Sequence, residues 1–167
     1  AIAYNSAGVE ESGDIFVQQF DHQAWSSPNT PVGVGHAPDV MLDSEDQIHL
    51  AWCDENGITN YQYNVSATEI ISSPTCIGRP ELRLDNDGWS HLVWYSDQVE
   101  NVHAVKSAGQ FLYESIRSDA GWSPPAIVAR TTQPSQPAIS NQPEGVLHLT
   151  WSDSQDESEI INYARQD

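Results

Sequence analysis

Three histidines sit in one four-residue frame: His49 in His-Leu-Ala-Trp, His91 in His-Leu-Val-Trp and His148 in His-Leu-Thr-Trp. Equivalent imidazoles could build a zinc site, which needs three or four ligands converging at about 2 Å. The tryptophan of the frame could stack on sugar rings. Acids are numerous enough for paired-carboxylate chemistry on glycosides, as in Asp43, Glu45 and Asp46. Cys53 and Cys76 could be a disulfide of an exported protein or two buried thiols of a cytosolic one.

The spacing of the frame points to architecture before chemistry. The histidines are 42 and 57 residues apart, and Pro38, Pro80 and Pro137 each stand 11 residues upstream of one. Between proline and histidine run PDVMLDSEDQIH, PELRLDNDGWSH and PAISNQPEGVLH. Val40 and Leu42, like Leu82 and Leu84, alternate with polar neighbours, which is the strand period. Asn86-Asp87-Gly88 and Pro143-Glu144-Gly145 are turn chemistry, since glycine takes the positive φ of tight hairpins. Each histidine then opens a second strand, and an acidic turn follows at 53–57, 95–101 and 152–158.

A third strand is expected at ITNYQYN, at VHAVKS (102–107) and at IINYAR, with an extended hairpin over SAGQFLYESIRSDAG. A fourth is expected from Trp25, Ile71 and Trp122. AIAYN and DIFVQQF near the start read as a degenerate second and third strand. Four strands in about 40–57 residues is the period of a propeller blade. The expected fold is therefore all-β and β-propeller-like, four consecutive four-stranded antiparallel repeats over approximately 1–36, 37–78, 79–135 and 136–167. The first lacks its opening strand and the last its closing one. A fragment of a longer propeller, or a subunit that self-associates through its incomplete terminal blades, would each account for that.

The segment SIRSDAGWSPPAIV resembles the Asp-box turn of sialidase-like propellers in secreted bacterial proteins, through Ser118, Asp119, Gly121 and Trp122. FDHQAWSSP keeps only Asp21 and Trp25 of that pattern. The resemblance implies a propeller fold. For a sialidase it would further imply three arginines clamping a carboxylate, a Tyr–Glu nucleophile pair and an Asp acid. Arg79, Arg83, Arg117, Arg130 and Arg165 are the arginines available, and nothing in their spacing assembles three of them.

Rotation from blade to blade separates equivalent histidines by more than about 10 Å, the spacing of packed sheets, so a packing or turn-anchoring role fits them better than zinc. Trp52, Trp94 and Trp151 recur with the hydrophobic period and fill the space between blades. Trp89 differs: it occupies a turn where the other repeats have Gln47 and Val146, and with Trp122 it is the candidate ligand contact. No catalytic and no metal-binding residues are assigned; calcium is the ion that the oxygen-rich LDNDG and SDSQDES segments could serve, though neither has the twelve-residue loop pattern. Asn64-Val65-Ser66 is a glycosylation sequon.

The charge narrows the partners. With 24 acids against 6 basic residues the net charge is −18, which offers no footprint for phosphate and so excludes nucleic acid. It also disfavours anionic lipid, and no apolar run of about 18 residues is available to insert in a membrane. The expectation is a secreted or cell-surface module, non-enzymatic, recognising a glycan or a protein or assembling into a filament or surface layer. The other reading is a fragment of a sialidase-like glycoside hydrolase.

Overall fold

The computed structural model describes residues 1–7, 11–27, 30–64, 66–71, 74–97, 110–132, 136–142, 146–155 and 158–166. Every regular element among them is a β-strand, and every strand pairing is antiparallel and, apart from β11 on β9, between neighbours in sequence. The first unit holds β1 (Ile2–Asn5) and β2 (Gly13–Gln18), paired from Ile2↔Gln18 to Asn5↔Ile15. Its last rung is the start of β3 (Gly33–Leu42), where Gly33–Gly35 pair with β2. β3 then crosses into the second unit and pairs with β4 (Ile48–Cys53), followed by β5 (Thr59–Tyr63) and β6 (Glu69–Ile71).

The third unit comprises β7 (Ile77–Leu84), β8 (Ser90–Ser96) and β9 (Gln110–Ser118). The short β10 (Gly121–Trp122) and then β11 (Ala126–Thr131) both pair back on β9. The fourth unit is β12 (Ala138–Asn141), β13 (Leu147–Gln155) and β14 (Ser158–Gln166).

Three placements differ from the sequence reading. The third strand of the third unit is β9 at 110–118, not 102–107; the latter lies outside the described residues. Phe111, Leu112 and Tyr113 form a continuous apolar run, with Phe111 and Tyr113 on the Trp94 face and Leu112 on the Val93 face, which gives β9 a core to cover. The fourth strand of the second unit ends at Ile71 rather than starting there, because Thr59↔Ile71 is its first rung. In the fourth unit Asp153 and Ser154, expected in a turn, pair with Ile160 and Glu159 inside a long hairpin. Acidic residues are tolerated there because a two-stranded ribbon leaves both edges to water.

Alternation along the second strand of each unit builds the core. Leu50 and Trp52 face back to the first unit, with Ile15, Ala3, Val17 and Val40. Ala51 and Cys53 face forward, to Leu82, Leu92, Trp94 and Tyr113 of the third. Val93 and Tyr95 face forward again, to Ile139 and Leu149 of the fourth. Each cluster thus lies between consecutive sheets, and β4 and β8 are covered on both faces. That is why HLAWC and HLVWY read as nearly unbroken apolar runs. Cys53, at the end of β4, is bonded to Cys76 with Cα atoms 5.9 Å apart, closing a 23-residue separation that contributes about 3 kcal/mol through the unfolded chain.

Trp52 needs room, and glycine supplies it. A Cβ on Gly35 would lie 2.2 Å from the Cys53 carbonyl oxygen and 2.6 Å from Trp52 Cδ1. Gly35→Ala is expected to cost more than about 2 kcal/mol, because neither backbone nor indole can retreat. Gly88→Ala, with open space but a φ of +81°, should cost about 1 kcal/mol. Urea midpoints at unchanged slope measure both.

Candidate functional site

The repeated histidine is a turn anchor. Asp43 opens the hairpin between β3 and β4, and its Oδ1 accepts the amides of Glu45 (2.8 Å) and Gln47 (2.9 Å). Its Oδ2 meets His49 Nε2 at 3.4 Å. Asp85 repeats this: Oδ1 accepts Asp87 and Trp89 amides at 3.0 and 2.8 Å, and Oδ2 meets His91 Nε2 at 3.2 Å. The Nδ1 atoms reach diagonally to the third strand, His49 to Tyr61 Oη (2.7 Å), His91 to Glu114 (2.9 Å) and His148 to Tyr163 Oη (2.7 Å). In the fourth unit Gln142 stands where the aspartate would be, and His148 Nε2 is buried with no partner among the described residues. The three rings belong to three separate sheets, and among the described residues no group of three His, Cys, Asp or Glu could hold a metal ion.

The tryptophans of the frame tie each sheet to the one before. Trp52 Nε1 donates to the Val34 carbonyl and Trp94 Nε1 to that of Pro74, both at 3.2 Å. Trp122 is half-buried, edge-on to Tyr61 at 5.0 Å and packed on the core between the second and third units. Its hairpin, Ser118 to Trp122, is the tight β9–β10 turn, with Gly121 at φ +96°. Trp89 is 43% exposed in the β7–β8 turn. Asn64 is exposed, at φ +51°, and its side chain donates to Gln47 Oε1 at 2.6 Å.

One grouping has the composition of a hydrolytic triad. His49 Nδ1 is 3.2 Å from Ser90 Oγ, with Asp43 on the far nitrogen and Tyr61 Oη 3.2 Å from the same hydroxyl. The Ser90 hydroxyl, 2% exposed, is engaged by both His49 Nδ1 and Tyr61 Oη. The group welds the second unit to the third.

A second grouping was missed in the sequence. β3 and β7 each carry a bulge just before the shared proline, marked by Ala37 at φ +48° and Gly78 at φ +75°. Such bulges redirect the next side chains. They bring Asp39 and Glu81, each following the proline of its unit and each 5% exposed, against Arg79 and Arg83. Arg79 Nη2 is 2.7 Å from Asp39 Oδ1 and Nε 3.6 Å from Glu81 Oε1. Arg83 spans the same two acids, at 3.5 and 3.9 Å. Asp39 Oδ2 also accepts the Leu82 amide at 2.8 Å, and Gln136 of the fourth unit donates to Glu81 Oε1 at 2.6 Å. Burial pushes the Glu81 carboxyl up; the Gln136 bond opposes this, Asp39 reinforces it, and the two arginines oppose it. The signal was present as proline followed by an acid in two of three repeats. Of the remaining arginines, Arg117 pairs with Glu69 at 2.7 Å, Arg130 lies over Phe111 and Arg165 stands opposite His148 on β14, each apart from the Arg79–Arg83 pair.

The anchoring histidines titrate in opposite senses. Burial lowers His49, and the bonds and charge of Asp43 only partly offset it. Burial pulls His91 down too, but Glu114 and Asp85 together outweigh it and hold it above the ordinary histidine range. A raised His91 contributes stability that is full below the unfolded pKa of about 6.5 and is lost as pH rises through the folded value. A lowered His49 contributes above that pKa, and the contribution is lost as pH falls through its folded value. Side-chain NMR titration is expected to place His91 above and His49 below free histidine. His91→Gln should cost more stability at pH 5.5 than at pH 8.5.

Among solved structures the chain resembles the endo-arabinase from Bacteroides thetaiotaomicron, at a TM-score of 0.50 and 15% identity. The match covers 91% of this chain and 66% of that one, so the chain spans just under two thirds of the endo-arabinase. No protein-family model matches the sequence, and no curated protein does. At this identity the likeness concerns the fold. It nevertheless corrects the expectation of a non-enzymatic module, because the structure sharing this fold is an enzyme, and an arabinase rather than a sialidase.

Proposed function

We propose that the chain is part of an exported β-propeller glycoside hydrolase, each antiparallel unit forming one blade. The Asp39–Glu81 pair carries the reading: two buried carboxylates on the opening strands of successive units, in unlike surroundings. Glycoside hydrolysis needs such a pair, one acid kept protonated and one kept ionised. Glu81, raised by burial, is the general acid that gives its proton to the leaving oxygen as the glycosidic bond breaks. Asp39, held by Arg79 and the Leu82 amide, is the partner carboxylate, which takes the proton of the water whose oxygen bonds to the anomeric carbon as the leaving oxygen departs. Arg79 and Arg83 reach solvent, with 40% and 32% of their side-chain surface exposed, and form the open side of the site.

The likeness to an endo-arabinase over most of the chain supports a carbohydrate substrate. The Asp-box-like hairpin at Ser118–Trp122 fits a propeller, while the absent arginine clamp argues against a sialoside. The Cys53–Cys76 bond and the exposed Asn64 sequon fit an oxidising, extracellular setting.

Reducing-sugar release from arabinan and a panel of other plant and microbial polysaccharides tests the proposal. Glu81→Gln, which preserves shape and can still meet Gln136, is expected to lower kcat/KM by about 100-fold or more. The wild-type rate should fall with rising pH at a value above the ordinary glutamate range. Absence of release from every polysaccharide, or a Glu81→Gln variant as fast as wild type, overturns it.

A further inference from the structure

From Asp39 and Glu81, β3 and β7 run on to Leu42 and Leu84, three residues or about 10 Å further along, and end there in the β3–β4 and β7–β8 turns. Two adjoining hollows lie at that end. One, of about 430 Å³, runs between the turns, from Met41 and Ser44 to Asn86, Asp87 and Asn141. The other, of about 230 Å³, is walled by Trp89, Asp87 and His91 of the third unit and by Leu147 and Gln166 of the fourth. Asp85 and Asp87 line both, so the two form one groove across the ends of three sheets.

We infer that this groove is a second carbohydrate-binding site, separate from the Asp39–Glu81 pair, which takes an uncharged polysaccharide with Trp89 as its stacking platform and Asp87 as its hydroxyl acceptor. Trp89 is rigidly mounted although 43% exposed: its amide donates to Asp85 Oδ1, and its carbonyl accepts the Asp85 amide at 3.0 Å. The hairpin gives this indole no packing duty of the kind Trp52 and Trp94 perform. An exposed ring beside a concavity offers an apolar face to the C–H side of a pyranose or furanose. Beside it, the Asp87 carboxylate makes no bond with any described residue and is free to accept two sugar hydroxyls, a charge-assisted contact.

The charges of the groove select the ligand. Among the described residues no Lys or Arg lines either hollow, so the charges a uronate or sialylated chain would meet there are those of aspartates. A basic peptide is poorly served as well, because Asp43 and Asp85 already hold histidines and backbone amides, which leaves Asp87 as the uncommitted acid. The groove extends past a single ring, which suits a chain rather than a monosaccharide.

Affinity electrophoresis in gels containing arabinan, xylan or mixed-linkage β-glucan tests this, with polygalacturonate gels and a decalysine peptide as controls. At least one neutral polysaccharide is expected to retard the protein. Trp89→Ala and Asp87→Asn, both at an exposed turn, should each weaken that retardation about 10-fold. Glu81→Gln should leave it unchanged, which separates this site from the proposed hydrolytic one. The proposal is overturned if no neutral polysaccharide retards the protein, if retardation survives both turn variants, or if only polygalacturonate or decalysine binds.

Discussion

Burial of β4 and β8 on both faces is the constraint from which the rest of the structure follows. A strand covered on one side can alternate polar and apolar residues; one covered on both must be apolar along its length and still satisfy its polar atoms. The His-Leu-x-Trp frame meets that demand. Leucine and tryptophan fill the back face, the residue between them fills the front, and the indole N–H finds a carbonyl on the preceding unit. Histidine, the polar member, is admitted because it has a partner on each ring nitrogen, a turn aspartate and a third-strand side chain. Where Gln142 replaces the aspartate, one nitrogen has no partner among the described residues.

The same economy places the acids. Asp43 and Asp85 each serve two backbone amides and a histidine, so a turn rich in negative charge is also a well-bonded one. Asp39 and Glu81 would be prohibitive as lone buried charges. Their enclosure is tolerated because two arginines each touch both acids and because a backbone amide and Gln136 add further bonds. Polar atoms therefore join the units at both ends of the opening strands, with hydrocarbon in between.

The repeat was legible because period-2 alternation and the fixed proline-to-histidine distance come from local backbone geometry, and Val40, Leu50, Leu82 and Leu92 occupy the positions that the alternation assigns them. The third strand of the third unit was expected at Val102 to Ser107, outside the described residues; that Gln110–Ser118 is the partner of β8 shows only in the pairing, since periodicity does not say which of two nearby apolar stretches takes the place. The carboxylate pair was illegible for another reason. Bulges at Ala37 and Gly78 turn residues that flank a strand toward the neighbouring sheet, and no periodicity in the chain announces a bulge. The likeness to the endo-arabinase fold lay in three dimensions, where 15% identity in one dimension does not show it.

Because each apolar cluster involves only two consecutive sheets, the stability of this chain is distributed as a sum over neighbour contacts rather than over one shared centre. Cooperativity then depends on how strongly each junction couples its two sheets. The junction of the second and third units has the largest cluster, the Arg117–Glu69 pair, the Ser90 hydroxyl network and the Asp39 bridge to Leu82. It is the nucleus around which the outer sheets can open and close in amide exchange without the middle coming apart, and it is also the junction across which Asp39 and Glu81 face each other.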